Sequence, residues 1–306
     1  MVSNKPQTAD GYDPEHTLGC ERALVTLLRG FGTLKETLRL VGGLVPRYLT
    51  PESPPEVPAH AGTSDVDIVL NLQVLANDDT YADLADQLKA LGFERFVKDG
   101  QPSSWRWQRK VSEHESVLVE FLKDSDEKSE SGRIASVKGE GLSALAIDHV
   151  GIVHRWYLQR DVTAELLDDG GTATETVRFA NMTAFIVLKT LAFEQRAENK
   201  DAADLIHVLR YANAGNVEAA VQEFVQYHRA KDNHDALDKT LAILHRRFCD
   251  GDGVEGYLRD GPKACAVFMY GRDASLEEER VLEQRNVSGL VSFFVKKVHE
   301  GMSDPQ

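Results

Sequence analysis

Two aspartates stand two residues apart in Ser64-Asp65-Val66-Asp67-Ile68-Val69-Leu70, and the β-branched content of residues 64–72 predicts a strand. In a strand, positions i and i+2 face the same side, so both carboxylates project from one surface. Like charges at that spacing repel, and burial sharpens the repulsion. A divalent cation relieves it. Hard oxygen donors on neighbouring positions suit Mg2+, which takes one or two carboxylates together with substrate phosphates. Glu120 extends the pattern as the only acid within Val117-Leu118-Val119-Glu120-Phe121-Leu122, a second expected strand. With the two strands side by side, Glu120 completes a three-carboxylate, two-metal site. Two such ions clamp the attacking and leaving oxygens of an in-line phosphoryl displacement.

Gly42-Gly43 lies upstream and opens a short helix-like run. Without Cβ atoms, the pair lets backbone N–H groups approach a triphosphate closely, and a helix N-terminus favours anions. Thr63 and Ser64, just before the aspartates, supply hydroxyls to the same region.

The elements that must position these residues follow from periodicity. Residues 1–13 are polar and read as loose, and residues 16–40 carry a helical period broken near Gly30-Phe31-Gly32. Residues 50–62 hold four prolines and read as a loop. A helix is expected over 80–91, stopped by Gly92, with strands over 93–97, 104–110, 116–123, 134–137 and 151–159. Charged residues 125–132 and the stretch Asp168-Asp169-Gly170-Gly171 read as turns. After about residue 180 the pattern becomes helical, over 181–195, 200–212, 217–228, 234–249 and 276–299, with 301–306 frayed. The acidic start of the last helix suits its dipole. The expected architecture is α+β: a mixed sheet flanked by helices over 14–178, then an α-helical domain over 179–300.

Gly-Gly, a loop, Thr-Ser-Asp-Val-Asp-Ile-Val and an isolated acid on a later strand resemble the nucleotidyltransferase superfamily with the DNA polymerase β-like palm. In the helical half, Lys189-Thr190-Leu191-Ala192-Phe193-Glu194-Gln195-Arg196 and then Lys200-Asp201-Ala202-Ala203-Asp204-Leu205 resemble a pattern of the AbiEii-type nucleotidyltransferase toxins. The resemblance spans about residues 38–210. It implies that Gly42 and Gly43 hold the triphosphate, and that Asp65 and Asp67 bind both Mg2+ ions. Glu120 would be the third metal-linked acid and general base. Lys189 would neutralise triphosphate charge, and Asp204 would match a fourth acid. Arg196 and Lys200 would be further contacts, the helical domain thus bringing Lys189 and Asp204 to the site. This chain differs in its longer proline-rich loop, in Ala61 where the toxins often carry Arg, and in Glu rather than Asp as third acid.

By the same resemblance, a nucleoside triphosphate would be the substrate, a tRNA 3′ end the acceptor and a cognate antitoxin a partner. One alternative keeps the chemistry with a small cationic acceptor, aminoglycoside-like, or a protein hydroxyl. Another is a catalytically silent binding module of the same fold. Composition bears on these. The chain has 306 residues, with 35 Lys+Arg against 49 Asp+Glu and a net charge of −14, which disfavours coating nucleic acid by bulk charge and suits a cationic acceptor. At 42% hydrophobic and 27% charged it reads as an ordinary globular protein, long enough for a sizeable core. Three scattered cysteines form neither a disulfide framework nor a zinc spacing. With no apolar leader and no long apolar stretch, a reducing cytoplasm is expected and no membrane contact.

Other features read more plainly. Trp105-Arg106-Trp107-Gln108-Arg109-Lys110 alternates aromatics with cations and could stack bases, but it also suits a half-buried strand. Cys249-Asp250-Gly251-Asp252-Gly253 lacks the spacing of a calcium loop. His207 and His245 are expected to pack or cap within helices. Neither a P-loop nor a Gly-x-Gly-x-x-Gly fingerprint occurs.

Overall fold

The computed structural model describes residues 5–71, 84–125, 130–136, 142–168 and 170–303. The chain divides into two compact units. A sheet unit holds Asp13–Val45 and Gly62–Asn181, and a helical unit holds Ser3–Tyr12, Pro46–Ala61 and Met182–Gln306.

The sheet unit contains the strands β1 (Arg39–Val41), β2 (Asp65–Val69), β3 (Glu94–Lys98), β4 (Gln101–Lys110) and β5 (Ser116–Asp124). It continues with β6 (Ile134–Ser136), β7 (Ser143–Ile147), β8 (Tyr157–Glu165) and β9 (Thr172–Ala180). Among the described residues these make one sheet in the order β3-β4-β5-β2-β1-β9-β8, with β7 on β5 and β6 on β7. The central pair, β2 and β5, is parallel, and so is β1 with β9; β1–β2, β4–β5 and β8–β9 are antiparallel.

Strand alternation sorts the residues. Val66, Ile68, Val117, Val119 and Phe121 are buried on one side. Helix α1 (Pro14–Gly30) lies on that side: a Cβ on its Gly19 would touch the Val117 side chain at 3.7 Å. The helix starts at Asp13, whose carboxylate accepts from Glu15 N–H, with Pro14 in the first turn where no N–H is needed. The acids of β2 and β5 therefore stand on the opposite face from α1.

The helical unit has a four-residue helix α2 (Pro46–Leu49). In the sheet unit, α3 (Leu84–Ala90) precedes β3. The helical unit continues with α4 (Met182–Arg196), α5 (Asn199–Gly215), α6 (Val217–Arg229), α7 (His234–Phe248), α8 (Asp260–Tyr270) and α9 (Glu277–Ser303). Helix α4 is buried on nearly every side, as expected for an element apolar all round. Aromatic pairs fill the core: Phe224 and Phe294 meet edge to face at 5.6 Å, and Phe193 and Phe248 lie 5.7 Å apart. No described helix is long and apolar enough to cross a membrane.

Several expectations change. The helix over 16–40 stops at Gly30; Gly32–Thr37 is a 3-10 turn, and Leu40 sits in β1, because the glycines flanking Phe31 break the period. Residues 151–159 are not one strand. Val150–His154 is a 3-10 turn, and β8 begins only at Tyr157, as burial of Val150, Ile152 and Val153 follows turn spacing. Strands β7 and β9 and helix α8 were not anticipated. The opening Asp260-Gly261-Pro262 of α8 looks like a breaker, yet proline is tolerated in a first helical turn. Residues 301–303 continue α9 rather than fraying, and 5–13 include a 3-10 turn at Ala9–Gly11. Residues 1–4, the start of the helix expected over 80–91, the end of the strand over 64–72, residues 126–129, 137 and 169, and residues 304–306 lie outside the described residues.

Truncating Phe294 to Ala removes a fully buried ring and is expected to destabilise the helical unit by about 3–5 kcal/mol, the usual cost of such a cavity. Urea denaturation followed by far-ultraviolet circular dichroism measures it.

Candidate active site

Strands β2 and β5 build the site. Asp67 lies abreast of Glu120, and Asp65 abreast of Leu118. Partners across a parallel pair share a face, so Asp65, Asp67 and Glu120 project together, with one carboxylate oxygen of each within 4.8 Å of the others. Asp65 is buried, and Asp67 and Glu120 are half-buried.

Asp65 and Glu120 are held by neighbouring side chains. Thr63 Oγ1 donates to Asp65 Oδ1 at 2.9 Å, and the Thr63 N–H donates to Thr17 Oγ1 on α1 at 3.1 Å. The main-chain oxygen of Ser64 lies 3.3 Å from His16 Nε2. Arg106 of β4 lies abreast of Glu120, and its Nε donates to Glu120 Oε1 at 2.8 Å. The Arg106 guanidinium sits 4.1 Å from the centre of the Trp105 ring. In the alternating aromatic–cation strand, Trp105, Trp107 and Arg109 are buried, so that run is a half-buried strand with Arg106 turned to the acid face.

Gly42 closes the site on the β1 side. Its φ is +75°, and a Cβ there would overlap Asp67 Oδ2. Only glycine fits both constraints. Gly42–Leu44 form a 3-10 turn, and the following helix α2 has just four residues. This is the short helical run expected after the glycine pair.

The field of the acids reaches Cys20 on α1. Burial first, then the charges of Asp65 and Asp67, push its thiol well above the ordinary value, so it stays protonated.

The other expected site residues gather in the helical unit. Lys189 Nζ donates to Asp201 Oδ1 at 3.0 Å and lies 2.7 Å from Asp204 Oδ2. Arg196 Nε donates to Asp201 Oδ2 at 2.6 Å, and Lys200 Nζ to Asp204 Oδ1 at 2.7 Å, spanning one helical turn. His60, from the proline-rich segment, places Nε2 at 2.8 Å from Asp204 Oδ1. Burial alone would depress Lys189, but Asp204 and Asp201 outweigh it and raise its pKa. Burial would raise both aspartates, yet Lys189 leads the charges that hold Asp201 below, and Asp204 well below, the ordinary range. Burial depresses His60 against the opposing pull of Asp204. His207 stacks edge-on against His60 at 4.9 Å and places Nε2 at 3.0 Å from Thr50 Oγ1, in keeping with a packing role.

Sequence reasoning missed Arg106, Asp201 and His60 as network members. The parity of β4 pointed to Arg106. For His60 there was no local signal, because its partner is far along the chain.

No family model matches the chain, and no curated protein matches it. Among solved structures it is similar to an antigenic nucleotidyltransferase-like protein from Paracoccidioides brasiliensis, at 16% identity and a TM-score of 0.35, covering 74% of this chain and 94% of that one. It is also similar to JHP933 from Helicobacter pylori, at 13% identity and a TM-score of 0.39, covering 95% of this chain and 96% of that one.

Two tests follow from this geometry. In Gly42→Ala, the added methyl must displace the Asp67 carboxylate. Alanine at this positive φ is strained as well, so the melting temperature is expected to fall, as followed by circular dichroism.

The second test is acid stability. Burial, then His60, lowers His207 to about 3; burial, then Arg39, lowers His154 to about 4. The unfolded chain takes up these protons near 6.5 and the folded chain resists them. Their contribution is complete above about pH 6.5 and is lost progressively as pH falls toward those values. The melting temperature is expected to fall across that window, and less steeply in His154→Gln/His207→Gln.

Proposed function

We propose that this protein is a divalent-metal-dependent nucleotidyltransferase, with Asp65, Asp67 and Glu120 as its metal-holding carboxylates. The carrying observation is the convergence of these three acids within 4.8 Å on one sheet face. An all-oxygen, anionic donor set fits Mg2+ and not a soft metal. When bound, the metal would supply charge neutralisation and polarisation at the reacting phosphate.

The chain's own residues divide the remaining work. Thr63 fixes Asp65, and Gly42 lets the main chain come up against Asp67, while Gly42-Gly43 keep the triphosphate-holding role that the resemblance implies. Arg106 orients Glu120, to which the resemblance assigns the proton of the attacking hydroxyl. The hydroxyl oxygen bonds to the α-phosphorus, and pyrophosphate leaves. Lys189, Arg196 and Lys200 are the cations to which the resemblance assigns triphosphate charge, and within the helical unit Asp204 is the acid that holds Lys189 in place.

The acceptor in this reading is a tRNA 3′ end, with an antitoxin as partner, following the AbiEii-type resemblance. A second reading, a small cationic acceptor, is favoured by the net charge of −14. A silent binding module is disfavoured by the intact trio of acids.

Each α-labelled nucleoside triphosphate is incubated with the protein, Mg2+ and total tRNA, beside Asp67→Asn. Label is expected in tRNA with the wild type, and Asp67→Asn is expected to lower it by at least about 100-fold, the scale of losing one charge-stabilising group. Triphosphate binding without label in RNA overturns the tRNA acceptor and turns the search to aminoglycoside-like amines. Failure to bind triphosphate with Mg2+ overturns the enzyme reading itself.

A further inference from the structure

A third group of chemistry-bearing side chains lies in the helical unit, on residues that none of the roles above uses. His228 sits in the last turn of α6, and His234 opens α7 with Asp238 one turn further along. His234 and Asp238 are four residues apart and share a helix face. Between the helices, Lys231 and Asn233 take left-handed backbone, with φ of 53° and 50°, and this tight turn folds the start of α7 back onto His228.

The three side chains converge. His228 Nε2 lies 3.0 Å from Asp238 Oδ1, and His234 Nδ1 lies 3.2 Å from Asp238 Oδ2. The two imidazole centres are 3.9 Å apart. One ligand atom from each residue falls within 4.8 Å of the other two. The His228 side chain is 15% exposed, while His234 and Asp238 are 43% and 54% exposed, so an ion has a path from solvent and a free side for water.

We propose that His228, His234 and Asp238 form a binding site for a borderline divalent transition metal of the Zn2+ class. Two imidazoles and one carboxylate are a donor set such ions take in three-ligand sites, with water completing the shell. Mg2+ and Ca2+ prefer oxygen throughout, so this site and the carboxylate trio select different ions. The separations between Asp238 and each ring nitrogen already approach the spacing of ligands around a metal, about 3.3 Å apart for tetrahedral bonds of about 2.0–2.1 Å. Binding exchanges the His228–Asp238 hydrogen bond and the His234–Asp238 contact for metal bonds. Each ring must then offer a lone pair at the nitrogen now facing Asp238, its proton moving to the other ring nitrogen or leaving to solvent. The bound ion ties the end of α6 to the start of α7.

The test is isothermal titration of the full chain with Zn2+ in excess Mg2+, which occupies all-oxygen sites. Co2+ serves as an optical reporter through its visible absorption when bound by few ligands. One Zn2+ per chain is expected, with a Kd tighter than about 10 µM. His228→Asn/His234→Asn is expected to weaken it by at least about 100-fold, beyond the range for loss of an outer-shell partner. Asp238→Asn, which keeps the shape and removes the charge, should weaken it as well. Asp65→Asn/Asp67→Asn should leave it unchanged. Zn2+ should raise the melting temperature of the wild type and not of the histidine variant, whose fold is checked by circular dichroism. Absence of saturable Zn2+ binding in excess Mg2+ overturns the proposal. So does binding that survives the loss of both histidines, or that is lost with Asp65 and Asp67.

Discussion

The register between β2 and β5 is the constraint on which the rest of the sheet unit depends. Asp67 stands beside Glu120 because the two strands run parallel without slip. A shift of one residue would send Glu120 to the face of Val117 and Val119 and bring a charge under α1. That face is packed with Val66, Ile68 and Phe121, so the slipped register would bury a carboxylate and expose apolar side chains. The apolar half of the strands thereby fixes the polar half. The acids repel one another, and the register that gathers them is enforced by burial on the opposite side.

The helical unit solves a related problem in another way. Lys189 is a buried charge on a helix that is otherwise apolar on nearly all sides. Its ammonium is matched by Asp201 and Asp204, which are themselves shared with Arg196, Lys200 and His60. Removing one member leaves an uncompensated charge in a poorly hydrated place, which is far costlier than never having had the pair. Such networks specify an arrangement more than they strengthen it, and this one fixes α4, α5 and the proline-rich segment to each other.

The legible parts of the sequence were those with local signals. Asp65, Asp67 and Glu120 stood out because an acid in a β-branched run contradicts its surroundings, and strand parity then gives the face. The illegible parts required knowing which strands are neighbours. Arg106 meets Glu120 through the register of β4 on β5, which no local pattern encodes. His60 meets Asp204 across 144 residues. Helix α8 hid behind an opening glycine and proline that usually mark a break. The 3-10 turn at Val150–His154 has enough buried aliphatic residues to look like a strand.

The helical unit is assembled from three stretches of chain, Ser3–Tyr12, Pro46–Ala61 and Met182–Gln306. Synthesis runs from the N-terminus, so the first two stretches emerge long before the helices that complete their core. Tyr12 packs on Phe268 at 5.9 Å, a contact that waits until roughly 250 further residues have been made. The sheet unit can collapse while the nascent chain is still growing, whereas the helical unit closes over contacts of very long sequence separation. Such closure is slow, and it leaves early apolar segments exposed during translation. The order of manufacture is thus opposite to the order of need, and segments made before the sheet unit are sheltered only after it.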